Sequence, residues 1–163
     1  MHQALGNNRR ASCYAVLVRV LAFDLGVRRT GVAISDPSGT IARPLQVVEG
    51  TSLKAQWTTL LDLISRVQAD EEPLEAIVVG VPHRLDGTPT DFTPKALDFV
   101  ARLSRRVSVP VLPLDERLTS VEAEALLSMR EHDWRQRKTH LDAAAAAVLL
   151  QEYLDSRQRT PTA

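Results

Sequence analysis

Only one cysteine, Cys13, occurs in the chain, so no internal disulfide can staple it, and that usage suits a reducing cytoplasm better than a secreted scaffold. A charge excess of either sign is missing too. The 20 Lys and Arg balance the 20 Asp and Glu, which removes any global field toward membrane or nucleic acid and makes any polyanion site a local one. No apolar run approaches the roughly 20 residues that cross a bilayer, and residues 1–10 are too polar for the apolar core of a secretory leader. Internal repeats and low-complexity blocks are absent. Cys13 and the histidines His2, His83, His132 and His140 lack the spacing of zinc ligands, and no Ser, Thr or Cys stands in a recognisable nucleophile context. Gly26 and Gly31 have the spacing of a P-loop, yet Val32 and Ala33 stand where Lys and Ser or Thr belong. Zinc hydrolysis, acyl-enzyme chemistry and Walker-type phosphate binding are thereby set aside.

What is present is alternation. With 163 residues, 44% of them hydrophobic, the chain has the size and composition of one globular domain with a sizeable core. Apolar runs predict strands over Val16–Phe23, Gly31–Ser35 and Ile41–Val48, joined by short links as an antiparallel meander. Leu53, Trp57, Leu60, Ile64 and Val67 form the stripe of an amphipathic helix, with Thr51 or Ser52 available as N-cap. Ala76–Val79 reads as a strand buried on both faces, broken by Gly80 and Pro82. Thr93 as N-cap and Pro94 at the first helical position open a helix to about Arg106, with Leu97, Val100 and Ala101 inward. A fifth strand covers Val109–Leu114. Thr119 with Glu122, and Thr139 with Asp142, suggest capping boxes for helices through Met129 and over Leu141–Leu154. The pattern predicts a mixed α/β sheet with helices on both faces.

Three carboxylates fall at element ends: Asp24 after the first strand, Glu116 after the fifth, and Asp142 in the first turn of the last helix. Strand ends of open sheets are where α/β proteins place their sites. Carboxylates that converge repel one another and lift at least one pKa unless cations neutralise them. Oxygen-only ligands select Mg²⁺ or Mn²⁺, and two such ions about 3.5–4 Å apart can assist in-line displacement at a phosphodiester. Each residue has a second reading. Asp24 could pair with Arg28 or Arg29, Glu116 could be a solvated loop carboxylate beside Arg117, and Asp142 could serve the helix dipole alone. Asp36, before Pro37, reads as a turn former.

The stretch "LAFDLGVRRTGVAISD", residues 21–36, resembles the opening signature of the YqgF/RuvX family of Holliday junction resolvases, a branch of the RNase H-like superfamily. That signature runs Asp-x-Gly-x-basic-Arg-x-Gly-Val-Ala, then Ser-Asp. "ARPL" (Ala42–Leu45), "VVGVPHRLDGT" (Val78–Thr88), "DERLTSVEAE" (Asp115–Glu124) and "LDAAAAAVLLQEYL" (Leu141–Leu154) are similar to the family's later blocks, in order. The resemblance implies an RNase H-like fold with a five-stranded mixed sheet, an antiparallel three-strand meander plus two parallel strands. It puts the family's acidic residues on Asp24, Glu116 and Asp142, as catalytic groups and ligands of two Mg²⁺ or Mn²⁺ ions. It implies a divalent-metal-dependent endonuclease that either trims the 5′ end of pre-16S rRNA or resolves four-way DNA junctions; a junction is two-fold symmetric, so a resolvase would want a homodimer, whereas RNA trimming has no such need.

The domain is expected over residues 19–155, with 1–18 an N-terminal extension, disordered up to about residue 12, and 156–163 a flexible tail. Arg28, Arg29 and Arg117 stand beside the acidic residues with guanidinium groups suited to phosphate, and Arg29 aligns with the family's arginine. Arg135, Arg137 and Lys138 surround Trp134 in a segment, residues 129–140, expected to be a loop that tracks a phosphate backbone and stacks a base. Glu131 and Asp133 also permit a salt-bridged, solvated loop there. Two other function classes stay open. One is a nucleic-acid-binding or ribosome-maturation module with a vestigial site. The other, an actin-like phosphotransferase suggested by Asp24-x-Gly26, would need a second domain that 163 residues cannot supply.

Overall fold

Two apolar faces on one strand organise the architecture. In the computed structural model, which describes residues 17–116 and 134–159, strand β1 (Arg19–Asp24) is buried on both sides. Leu21 and Phe23 join one core cluster, Val20 and Ala22 another. Leu17 and Val18, counted as strand from their apolarity, precede it. The Arg19 guanidinium is buried there and donates to the carbonyls of Val67 at 2.9 Å and Glu72 at 2.7 Å, and pairs with Asp70 at 3.1 Å.

Strands β2 (Arg29–Ser35) and β3 (Ala42–Glu49) complete the antiparallel meander. At the turn between them the Asp36 carboxylate accepts from the backbone N–H groups of Thr40 and Ile41, both at 2.8 Å. The Ile41 bond first, then Ser38, holds its pKa down to about 2. Helix α1 (Leu53–Gln68) starts on Ser52, whose Oγ accepts from Ala55 N at 3.2 Å. Its Leu60, Ile64 and Val67 are buried as the stripe predicts. Strand β4 (Leu74–Val81) is parallel to β1 and runs through Gly80 instead of stopping there.

Helix α2 (Thr93–Ser104) corrects two details. Thr93 lies inside the helix: its hydroxyl donates to the Pro82 carbonyl and accepts from Thr90 N at 2.8 Å, so it ties the helix to the end of β4. The inward face is Ala96, Phe99 and Leu103, while Leu97 is 47% exposed, because the bulk of Phe99 decides which side of the stripe enters the core.

Strand β5 (Val111–Asp115) adds in parallel to β4, giving the order β3-β2-β1-β4-β5. Helix α3 (Trp134–Arg159) covers the opposite face through Ala146, Leu149, Leu150 and Leu154. It begins well before Leu141, so residues 134–140 are helical, and Asp142 sits mid-helix rather than in a first turn. The stretch from Trp134 to Arg159 contains no Gly or Pro, and continuing helix formers override the local capping signal of Thr139. The helix also passes Ser156, the expected start of a flexible tail, and Arg157 grips Glu75 at 2.7 and 3.0 Å. The helix expected through Met129 lies outside the described residues.

Candidate active site

The alternation of β1 decides which way Asp24 faces. Phe23 packs against α1 and α2 and Ala22 against α3, so Asp24 at the strand end is on the α3 side. Gly31 of β2 pairs with Asp24. On the other flank Phe23 pairs with Val79, and Gly80 is the next residue along β4. Each glycine makes room for a different carboxylate. A Cβ on Gly31 would run into the carbonyl of Asp142 and stand 3.1 Å from Ala143 N, so the missing side chain lets the alanine-rich turn of α3 lie directly on β2. A Cβ on Gly80 would collide with Glu116 Oε2 and come within 3.1 Å of Leu149 Cδ2. The Glu116 carboxylate therefore lies across Gly80, toward Asp24, anchored by its N–H to the Val81 carbonyl at 3.4 Å.

Electrostatics registers the convergence. Burial is the largest influence on Asp24 and lifts its pKa from 3.8 to about 6; a hydrogen bond with Glu116 opposes the rise and the charge of Asp142 adds to it. Glu116 is pushed from 4.5 to about 9, again first by burial, then by the Asp24 charge and by the hydrogen bond in which Glu116 is the donor, with Asp115 adding last. The pair thus shares a proton held on Glu116, the behaviour of two carboxyl groups brought close together. A raised pKa in the folded chain means that these groups favour folding most below the unfolded values of 3.8 and 4.5, and that this contribution fades as pH rises through about 6 and about 9. Denaturant melts in EDTA are expected to show stability falling across that window, by about 3 kcal/mol through Asp24 alone. A profile that rises from pH 5 to pH 9 would contradict it.

The cations expected nearby are partly in view. Arg28 is exposed in the β1–β2 turn. Arg29 does not pair with Asp24; its Nε meets Glu49 Oε1 at 3.1 Å, and its Nη1 is buried with no hydrogen-bond partner among the described residues. Arg117 and the side chains of Trp134, Arg135, Arg137 and Lys138 lie outside the described residues. His83 Nδ1 stands 3.6 Å from Asp115 Oδ1 and 3.1 Å from the Val81 carbonyl, at the same sheet end.

Sequence reasoning missed Gln56. It is fully buried in α1 and holds the β1–β2 turn: Nε2 donates to the carbonyls of Gly26 at 3.1 Å and Val27 at 3.0 Å, and Oε1 accepts from Thr30 Oγ1 at 2.5 Å. The available signal was a polar residue between Leu53 and Leu60 on the apolar stripe. Gln56→Leu keeps the volume but strands two carbonyls and a hydroxyl. It is expected to cost about 2–3 kcal/mol in a thermal melt and to loosen the turn that carries Arg28.

Among the described residues no group of three or more His, Cys, Asp or Glu side chains forms a ready-made cation cage. The donor chemistry nonetheless fits a hard divalent ion: all three groups offer oxygen only, and Glu116 is held in a protonated state that a neighbouring cation would reverse.

The chain has relatives among known proteins. A relative from Maridesulfovibrio salexigens, named "Putative pre-16S rRNA nuclease", is 39% identical over 137 residues, spanning 84% of this chain and 98% of its own. One of the same name from Burkholderia cenocepacia is 43% identical over 136 residues, 83% of this chain and 88% of its own. The fold resembles that of T. thermophilus RuvC, solved in complex with Holliday junction substrate, with a TM-score of 0.51 at 19% identity over 86% of this chain and 96% of that one. The five-stranded mixed sheet is thus the RNase H-like one that the sequence implied. Residues 18–156 match the model of the RuvX family, described as Holliday junction resolvase, and with relatives at this identity over most of its length the chain belongs to that family.

Proposed function

We propose that this chain is a divalent-metal-dependent endonuclease that hydrolyses phosphodiester bonds in structured nucleic acid, with Asp24, Glu116 and Asp142 as its catalytic and cation-holding groups. The observation that carries the reading is the pair of glycines flanking Asp24, Gly31 and Gly80, whose missing side chains admit Asp142 and Glu116 to the same strand end. Burial is the largest influence on both Asp24 and Glu116 and disfavours their charged forms, a cost that a bound cation would offset. Mg²⁺ or Mn²⁺ bound there would neutralise the cluster, lower the pKa of water and stabilise charge on the phosphate. The protein's own part is to hold the three carboxylates on a rigid strand and helix, with the Glu116 proton given up as cations bind. Arg28 and Arg29 are the phosphate contacts nearest the cluster, and Arg117, Trp134, Arg135, Arg137 and Lys138 extend that contact.

The names of the relatives favour pre-16S rRNA as substrate, and the family description favours four-way DNA junctions. A junction is two-fold symmetric, so that activity would require a homodimer. A reducing cytoplasmic setting suits both, and no helix among the described residues is long and apolar enough to cross a membrane. The deciding experiment offers a synthetic four-way junction and a pre-16S rRNA leader to the protein side by side in Mn²⁺, with EDTA and Glu116→Gln as controls. Internal cleavage of one substrate to a 3′-hydroxyl product, lost in both controls, is the expected result. Binding without turnover would instead support a vestigial site, and a 3′-phosphate product would exclude the hydrolysis proposed.

A further inference from the structure

We infer that the cavity between the first turns of α1 and α2 receives an unpaired nucleotide of the substrate strand, adjacent to the phosphodiester held at Asp24; the inference rests on the nuclease reading above. The cavity measures about 490 Å³, within the roughly 300–1,000 Å³ of small-ligand sites. Its walls are aromatic. Trp57 and Phe99 meet edge to face with ring centroids 5.3 Å apart, and Phe92 closes the side nearest the β4 end. The rim is basic: Lys54 and Lys95 stand in the first turns of the two helices, and the Arg102 guanidinium lies 4.7 Å from the Trp57 ring centroid, against one lining carboxylate, Asp98. In a chain of zero net charge, this combination of flat apolar walls and surplus cations is local, and it matches what single strands present: a π-face to stack and a phosphate to neutralise. A paired base has its faces and edges already occupied, so the occupant is an unpaired one.

Location ties the cavity to the acidic cluster. Strand β3 runs parallel to β1, so α1 starts at the sheet end where Asp24 lies, and α2 starts there too because it follows β4. Val27 lines the cavity and is only three residues from Asp24, a span of at most about 11 Å. Asp24 faces the α3 side of the sheet and the cavity the other side, with the β1–β2 turn as the saddle between them. A strand draped over that turn passes exposed Arg28 and sets one nucleotide in the cavity while its neighbour's phosphate lies at the carboxylates. Gln56, which pins the turn, fixes the separation of the two subsites.

The test measures binding of full-length Asp24→Asn protein, which spares the probe, by anisotropy of fluorescein-labelled oligouridylate, oligothymidylate and a blunt duplex. Lys54→Glu with Lys95→Glu, and separately Trp57→Leu or Phe92→Leu, are expected to weaken single-strand binding by about tenfold or more. Duplex binding should stay within about twofold for the two aromatic variants, which alter no phosphate contact. Melting curves confirm that each variant is folded; with two aromatic variants, loss of one to misfolding leaves the question answerable. Loss confined to the RNA or to the DNA probe identifies which kind of strand supplies the nucleotide. Unchanged single-strand affinity in the folded variants overturns the subsite and leaves the nuclease reading standing, because the parent still binds. A parent that binds none of the probes overturns both. If the lysine variants instead convert a dimer to monomers in sedimentation without altering affinity, the cavity is a face for a second copy of this chain and the inference falls.

Discussion

Asp24→Asn is expected to abolish cleavage and, at the same time, to make the metal-free protein more stable. The two effects have one cause. Asp24 is held at a pKa of about 6 by burial and by the Asp142 charge, so at neutral pH the folded chain carries an ionised group that the unfolded chain would solvate better. Asparagine removes the charge, keeps the shape and can still serve as partner to Glu116. About 2 kcal/mol should be recovered at pH 7 in EDTA, a rise of about 5 °C in Tm for a chain of this size. Cleavage, by contrast, loses an oxygen anion wherever the cation must sit, and several kcal/mol of transition-state stabilisation corresponds to about 10³-fold or more in rate. Mn²⁺ at 100 times its Kd should stabilise the wild-type fold by about 2.7 kcal/mol and the variant much less. A carboxylate kept for packing alone would give the opposite pattern, with lower stability and retained Mn²⁺ response. Paired thermal melts and cleavage rates separate the two.

Much of the architecture was legible because it rests on long-period signals. The α1 stripe places Leu60, Ile64 and Val67 in the core, and the β-branched run before Gly80 becomes the strand between β1 and β5. Misreadings arose where a local rule competed with a tertiary demand. Thr139 and Asp142 match a capping box, yet an uninterrupted run of helix formers carries α3 back to Trp134. Thr93 matches an N-cap, yet its hydroxyl is used on the Pro82 carbonyl. Leu97 appears apolar enough to be core, but Phe99 claims that side of α2. At the site, the family resemblance points to Asp24, Glu116 and Asp142, but the approach of Glu116 and of the Asp142 backbone to the end of β1 is not legible in the sequence. It depends on Gly31 and Gly80, and a glycine in a strand carries no sequence mark that distinguishes a close approach from a turn. Close to Pro82, Gly80 has the local signature of a turn, although β4 runs through it. Gln56 escaped for a similar reason: a buried glutamine is legible only once its three partners, which lie 26–30 residues away in the chain, are in place.

Gly31→Val should be the most disruptive single substitution on this side of the sheet, and Gly80→Ala provides the contrast that explains why. At Gly31 the added atoms meet backbone, the Asp142 carbonyl and Ala143 N of a packed helix. Neither can rotate away, so α3 must lift from β2 or β2 must bend. Overpacking of that kind costs about 3 kcal/mol or more, which is about 10 °C in Tm at this chain length. At Gly80 the nearest atoms are the end of the Glu116 side chain and one Leu149 methyl group, which can rotate away at small cost, so Gly80→Ala should lower Tm by only about 2–3 °C. Activity should not follow stability. Gly80→Ala evicts the Glu116 carboxylate from beside Asp24, and Gly31→Val carries Asp142 away from it, so each removes one member of the cluster. Both variants are expected to lose cleavage by about 10²-fold or more when assayed well below their melting temperatures. In EDTA, Gly80→Ala should also move the Asp24 titration toward higher pH, because the Glu116 hydrogen bond that opposes its rise is lost. If Gly80→Ala keeps full activity, Glu116 does not act where its carboxylate now lies, and the three-carboxylate reading loses one of its members.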